Sequence, residues 1–144
     1  MKLELSELEP DNFHIFTTFF IGKNKVRFLV DTGASKTVVD KTKIEAILGS
    51  KINKKQQAES IGLGAEMVKT SLIKLPAIRF DKIKIKEPEF AMLDLSNINK
   101  AYDLLGFKHI DGVIGGDLLQ KLDAVINYKS KTLKLKLKKT FIKI

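Results

Sequence analysis

The residues best suited to chemistry lie at positions 28 to 35, where three apolar residues lead directly into Asp31, Thr32 and Gly33. Burying an aspartate at the end of an apolar strand costs free energy unless hydrogen-bond donors or a catalytic role compensate for the lost hydration. Gly33 permits a sharp turn that brings main-chain N–H groups close to the carboxylate. One Asp-Thr-Gly tripeptide fits either a catalytic carboxylate or an ordinary acid that caps a turn.

A second motif further along the chain decides between these two interpretations. Two apolar residues, Val113 and Ile114, precede Gly115, Gly116 and Asp117. The ordered pair of motifs resembles the aspartic peptidases. Their signature is an Asp-Thr/Ser-Gly after apolar residues, followed later by two apolar residues and a glycine that lets one strand pass under the catalytic loop.

The chain carries a single Asp-Thr-Gly in its 144 residues, so the resemblance is to the single-lobed, retropepsin-like members, which assemble as symmetric homodimers. It covers residues 13–137 and implies a mostly β, acid protease fold over residues 1–144, as one domain. This fold is a closed β-barrel with two short covering helices and a flap hairpin. Residues 117–122 resemble the short helix after the second motif, and residues 124–127 and 132–137 resemble the closing hairpin.

The resemblance also implies an activity, the hydrolysis of peptide bonds in extended protein segments. Two carboxylates held close together cannot both ionise, so the pair shares one proton. One carboxylate takes a proton from a water that attacks the peptide carbonyl, while the other protonates the carbonyl oxygen. A two-fold axis supplies both carboxylates from the same residue, Asp31 and its copy, and no cofactor or metal ion is expected.

Each residue around Asp31 has a counterpart in the family. Thr32 matches the hydroxyl that hydrogen-bonds across the dimer, and the carbonyl of Gly33 would face the substrate backbone. Ala34 offers no hydroxyl to the carboxylate pair, so we expect a pH optimum between weakly acidic and neutral. Retroviral members carry an acid at the position of Ser35 and an arginine at that of Gly116, which pair near the dimer contact; here both charges are absent.

A flexible hairpin usually covers the substrate in these enzymes, and residues 59–67 fit that role best. Two glycines in a short apolar run give the backbone freedom that a lid tip needs. An ordinary hairpin also fits this run. The residues assigned to the flap are Ile61, Gly62, Leu63, Gly64 and Ala65.

Alternating apolar residues predict the strands nearest the first motif. Strands are indicated over Phe13–Ile21 and Val26–Val30, and positions 22–25 between them are typical of a hairpin connection. Because the second strand leads into Asp31, this hairpin is expected to hold the carboxylate.

Two helices are predicted as covers on the sheet. The first follows Asp40 as its N-cap and ends at Gly49. The second follows Ser96 and ends at Gly106. The side chains expected on the buried faces are Ile44, Ile47 and Leu48 in the first helix, and Ile98, Ala101, Tyr102 and Leu105 in the second.

Composition argues against several other kinds of chemistry. The chain has no cysteine, which excludes disulfides, zinc ribbons and thiol nucleophiles. His14 and His109 lack partners at metal-ligand spacing, so we interpret both as structural. The alternating N-terminal residues are unlike a signal peptide, and no apolar run is long enough for a bilayer. A cytoplasmic location without membrane attachment is therefore expected.

The net charge of +9, from 26 basic and 17 acidic residues, raises the question of nucleic acid. The alternating lysines of residues 133–138 are typical of one solvated strand face, which opposes edge pairing. Only Arg27 and Arg79 could read bases, so nucleic acid is not the expected partner. Two alternatives to the peptidase stay open: a catalytically silent peptide-binding module of the same fold, and a basic nucleic-acid-associated protein.

Overall fold

Strands dominate the computed structural model, which describes residues 2–49, 54–59 and 68–136. Twelve strands and three helices lie in these ranges, and the predicted mostly β fold class is confirmed. The strands are β1 (Glu4–Glu9), β2 (Asn12–Ile21), β3 (Asn24–Val30), β4 (Val38–Asp40), β5 (Lys54–Glu59), β6 (Val68–Lys74), β7 (Ile78–Phe80), β8 (Ile83–Ile85), β9 (Glu89–Leu93), β10 (Gly112–Ile114), β11 (Val125–Asn127) and β12 (Thr132–Lys134). The helices are α1 (Lys41–Leu48), α2 (Ser96–Leu104) and α3 (Gly116–Lys121).

Ten of these strands form one sheet in the order β5-β6-β9-β4-β10-β3-β2-β7-β8, with β1 paired to β2. Strand β10 is inserted at the centre, parallel to β3 and antiparallel to β4. The insertion brings the second sequence motif beside the first, with Ile114 opposite Val30. No pairing within the described ranges joins the two ends of this order, β5 and β8, so the closed barrel stays a prediction.

The β2–β3 hairpin confirms the arrangement predicted around the first motif. Its ladder begins with Phe16 opposite Leu29 and ends at the turn, where Gly22 has a φ of 59° that favours glycine. Phe19 and Phe28 are fully buried, and their ring centroids lie 4.2 Å apart. Burying each ring stabilises the fold by about 1.5–3 kcal/mol. This packing fixes the strand that leads into Asp31.

Asp40 anchors both covering helices. Its Oδ2 accepts the N–H of Lys43 at 3.2 Å and so caps α1, as predicted, and Gly49 ends that helix. Its Oδ1 accepts the N–H of Leu95 at 3.0 Å, just before α2. Asp40 is buried, so these two backbone donors replace the water that its carboxylate has lost.

Replacing Asp40 by alanine should therefore destabilise the protein. We expect Asp40→Ala to lower the free energy of unfolding by about 2–4 kcal/mol, because a lost N-cap costs about 1 kcal/mol and a buried N–H without an acceptor costs about 1–3 kcal/mol. Urea unfolding measures the change. Asp40→Asn, which keeps one acceptor oxygen, should lose less, and equal losses in the two variants would contradict this account.

Helix α2 exists where it was predicted, and Tyr102 is buried as predicted, but Ile98, Ala101 and Leu105 of the predicted stripe are exposed. Ile98 and Leu105 are 41% and 52% exposed, and the buried residues of the helix are Asn99 and Tyr102. The amide of Asn99 donates to the carbonyl oxygen of Ile110 at 3.1 Å and accepts its N–H at 2.8 Å. A buried polar residue is stable when fully hydrogen-bonded. Apolar periodicity does not reveal such a partner, which explains the error.

The last described elements return to the start of the chain. Helix α3 confirms the short helix predicted after the second motif, and β11 pairs with β12. The N–H of Leu3 donates to the carbonyl oxygen of Lys131 at 2.9 Å. Leu133 is buried while Lys134 and Lys136 are exposed, as the alternation predicts.

Among the described helices, none has the length and apolar character needed to cross a bilayer.

Candidate active site

Asp31 stands where β3 ends, and backbone contacts hold it there. Its N–H donates to the carbonyl oxygen of Ile114, in β10, at 3.0 Å. Its carboxylate Oδ1 accepts the N–H of Gly33 at 2.9 Å, and its carbonyl oxygen accepts the N–H of Ala34 at 3.2 Å. The turn therefore presents a partly exposed carboxylate that a main-chain donor keeps oriented.

The second motif supports this turn through close backbone contact. The N–H of Gly116 donates to the carbonyl oxygen of Ala34 at 2.7 Å. A Cβ atom added at Gly115 would lie 2.7 Å from the backbone of Lys36, which is too close for two nonbonded atoms. At Gly116 the nearest atom to an added Cβ is 3.6 Å away, an ordinary contact. Steric fit therefore requires glycine at position 115 and tolerates a methyl group at position 116.

These two glycines give a matched pair of substitutions. We expect Gly115→Ala to lower the free energy of unfolding by about 1–3 kcal/mol, because the backbone around Lys36 must move to accept a methyl group. Gly116→Ala should change it by less than about 0.5 kcal/mol. Chemical denaturation of both variants beside the wild type tests this difference. Equal stability of the two variants would show that the close approach at Gly115 does not constrain the turn.

A hydrogen-bond chain joins the two motifs where the retroviral ion pair is missing. Ser35 is exposed and Gly116 has no side chain, so no charge pair forms between them. Instead the hydroxyl of Thr37, which is 1% exposed, donates to Asp117 Oδ1 at 2.7 Å and accepts the N–H of Gly115 at 3.1 Å. Thr37 was not among the predicted site residues. Its only signal in the sequence is a hydroxyl directly before the apolar strand β4.

An open cavity of about 490 Å³ lies beside the Asp31 turn. Its walls are mainly apolar and come from β2, the end of β3 and the β11–β12 hairpin. Within the described part of the chain, no three acidic or imidazole side chains are grouped as metal ligands would be. The residues that line the cavity are Phe13, His14, Ile15, Leu29, Val30, Asp31, Thr32, Ile126 and Tyr128.

His14 and Tyr102 form a polar pair at this cavity. The distance between His14 Nδ1 and the Tyr102 hydroxyl is 2.9 Å. Burial raises the pKa of Tyr102; the positive charge of Arg27 opposes this change, and the negative charge of Asp31 adds to it. No sequence pattern indicated this pair, because Tyr102 was assigned only to an apolar stripe and His14 to a structural role.

The predicted flap, Ile61, Gly62, Leu63, Gly64 and Ala65, lies outside the described residues. The strands on either side of it are described. β5 and β6 pair antiparallel up to Glu59 opposite Val68, so positions 60–67 connect two adjacent strands. The predicted flap therefore lies in the sequence between two strands that pair with each other, and its assignment stays a prediction.

The sequence matches the family model described as aspartyl protease over residues 17–118, a span that includes both motifs. The chain therefore belongs to the aspartyl protease family. No curated protein sequence matches it significantly.

Solved structures with the same fold are retropepsin-like aspartic proteases. The retropepsin-like aspartic protease from Rickettsia conorii has a TM-score of 0.57 and 18% identity, over 90% of this chain and 92% of that one. EIAV protease in complex with the inhibitor HBY-793 has a TM-score of 0.55 and 22% identity, over 78% and 90%. The retroviral protease-like domain of Ddi1 from Leishmania major has a TM-score of 0.55 and 16% identity, over 83% and 86%. The chain thus has the retropepsin-like fold.

Proposed function

We propose that the chain is an aspartic endopeptidase that works as a homodimer, with Asp31 of each copy supplying one carboxylate of the catalytic pair. The observation that carries this proposal is the position of the Asp31 carboxylate, which is partly exposed, lines the cavity and is oriented by the N–H of Gly33. A carboxylate held on a rigid turn beside an open cleft is placed to accept a proton from an attacking water.

The need for a second copy follows from the chemistry of the reaction. One carboxylate must accept a proton while another donates one, and the chain carries a single Asp-Thr-Gly. Thr32 beside it is exposed, and its hydroxyl makes no hydrogen bond to any described residue. A hydroxyl in this position is free to bond the same turn of a two-fold related copy. The turn of residues 31–35 and the second motif would then form the floor of a shared cleft.

The proposed substrate is an extended peptide segment. The apolar walls of the cavity suit apolar side chains, and a cleft between a sheet and a covering hairpin binds its ligand like an added strand. In this arrangement the carbonyl of Gly33 would accept a hydrogen bond from the backbone of the peptide. Residues 61–65 would cover the bound peptide.

A diverse peptide library, incubated with concentrated protein across a range of pH and analysed by mass spectrometry, tests this function. Cleavage inside the peptides, with an optimum between weakly acidic and neutral pH, is the expected result. An optimum below about pH 3.5, where isolated carboxylates are mostly protonated, would contradict the role given to Ala34. Absence of cleavage in a sample shown to be dimeric would overturn the peptidase proposal and favour a peptide-binding module.

A further inference from the structure

His14 and the candidate catalytic residue Asp31 both lie just beyond the end of the β2–β3 ladder. The β2–β3 ladder ends with Phe16 opposite Leu29, and His14 and Asp31 each lie two positions beyond that pair. Residues two apart on a strand share a face, as do residues directly opposite each other on antiparallel strands. His14 and Asp31 also line the same cavity of about 490 Å³. The imidazole and the carboxylate therefore belong to the wall of the same proposed cleft.

The hydroxyl of Tyr102 fixes which nitrogen of His14 carries a hydrogen. Tyr102 is 4% exposed, and burial raises its pKa, so the phenol keeps its hydrogen at neutral pH. Its only hydrogen-bond partner among the described residues is His14 Nδ1 at 2.9 Å. A buried hydroxyl that donates to nothing is unfavourable, so we assign Tyr102 as the donor and Nδ1 as the acceptor. The neutral imidazole then carries its hydrogen on Nε2.

This Nε2–H group has no acceptor within the described part of the chain. His14 is half-buried, and its one hydrogen bond to these residues is the contact with Tyr102. The cavity wall is mainly apolar, and the polar lining residues are not hydrogen-bonded to His14; the apolar ones include Phe13, Ile15, Leu29 and Ile126, and the polar ones are Asp31, Thr32 and Tyr128. An unpaired donor on a mainly apolar cavity wall favours a ligand that brings an acceptor to it.

We propose that His14 is a specificity-determining residue, whose Nε2–H selects a substrate side chain with an apolar stem and a neutral oxygen acceptor at its end, of which glutamine is the best fit. The proposal rests on the peptidase function proposed above. A carboxylate at this position would be repelled by the negative charge of the Asp31 pair, and a basic side chain has no acceptor to offer. A glutamine side chain places two apolar methylene groups between its backbone and its amide carbonyl oxygen.

Peptide pairs that differ only by glutamine or methionine at one position test this assignment. The two side chains have similar length, but methionine offers only a weak acceptor. At one position near the cleaved bond, we expect kcat/KM of the wild type to favour glutamine by about tenfold, the typical effect of one hydrogen bond in a protected site. Tyr102→Phe should reduce this ratio, because either nitrogen of His14 can then carry the hydrogen.

Two amide substitutions at position 14 separate the donor from the fold. The amide of His14→Asn reaches the place of Nδ1 only, so the ratio of kcat/KM for glutamine over methionine should fall to about one. The longer side chain of His14→Gln puts an N–H group near the place of Nε2 and should restore much of the preference. His109→Asn changes the other histidine, which is exposed, contacts Asp103 and is not among the residues lining the cavity, so it should leave the ratio unchanged.

The outcomes distinguish this proposal from the proposed function. If the wild type cleaves peptides but the ratio is the same in His14→Asn, the specificity assignment is wrong and the peptidase function stands. If the wild type cleaves nothing, the same peptide pairs are measured by fluorescence polarisation as Kd values. A glutamine preference in Kd that is lost in His14→Asn would support the role of His14 without the peptidase. If the preference in Kd persists in His14→Asn, the specificity role of His14 is overturned as well.

Discussion

Asp31→Asn is expected to reduce peptide cleavage by about 10²–10⁴-fold or more, the range attributed to a positioned acid or base. An amide cannot share a proton with a second amide across the two-fold axis, so both proton-transfer roles are lost together. In the wild type, the N–H of Gly33 donates to Asp31 Oδ1 at 2.9 Å. The side-chain oxygen of asparagine can accept the same hydrogen bond, so the turn should keep its shape. Steady-state cleavage of a peptide found in the library measures the loss.

Two controls make this result specific to chemistry. The urea midpoint of Asp31→Asn should stay close to that of the wild type, because the replaced atoms have the same size, and the rates are compared at concentrations where sedimentation shows both proteins to be dimeric. Mixed dimers give a sharper test: adding excess Asp31→Asn to the wild type should lower the rate by more than dilution alone, since a dimer with one carboxylate is inactive. Unchanged cleavage by the variant would remove Asp31 from the mechanism.

The parts of the fold that the sequence predicted are those with local causes. The β2–β3 hairpin follows from alternating residues and a glycine turn, and helix α1 follows from its cap at Asp40 and its end at Gly49. Each signal lies within a few residues of the structure it produces. The position of the Asp31 turn against Gly115 was predicted through a resemblance, because no local signal pairs β3 with β10.

The parts that were missed depend on partners distant in sequence. His14 and Tyr102 are 88 positions apart, and Thr37 and Asp117 are 80 positions apart. Polar residues of this kind look like ordinary strand or helix residues until the fold brings their partners together. Asn99 shows a similar effect at shorter range, since the hydrogen bonds that stabilise its buried amide come from the backbone of Ile110, 11 positions further on and outside α2.

Arg27 shows why net charge is a weak guide to partners. Its guanidinium lies 3.7 Å from the centroid of the Phe16 ring, and its side chain is 12% exposed. The guanidinium donates to the carbonyl oxygens of Lys108 and His109 at 3.0 and 3.4 Å, and to the carboxylate of Glu4 at 3.1 Å. Arg27 thus joins β3 to the segment before β10. One of the two arginines in the sequence is therefore used inside the fold, which weakens the nucleic-acid alternative.

Thr32→Ala is expected to weaken the proposed dimer and to reduce activity only when the protein is dilute. The Thr32 hydroxyl is exposed and makes no hydrogen bond to a described residue, so its proposed role lies between copies. A two-fold axis makes every such hydrogen bond occur twice. Losing two bonds of about 0.5–1.5 kcal/mol each should raise the dimer Kd roughly 5- to 150-fold.

Specific activity measured over a wide range of protein concentration separates assembly from chemistry. For Thr32→Ala the curve should shift to higher concentration and reach nearly the wild-type plateau, and sedimentation should show the same shift in the monomer–dimer equilibrium. Thr32→Ser keeps the hydroxyl and should follow the wild-type curve. A plateau that falls without any shift would place the hydroxyl in the chemical step. An unchanged curve would mean that the two turns do not meet through this residue, and the contact between copies would then have to lie elsewhere on the chain.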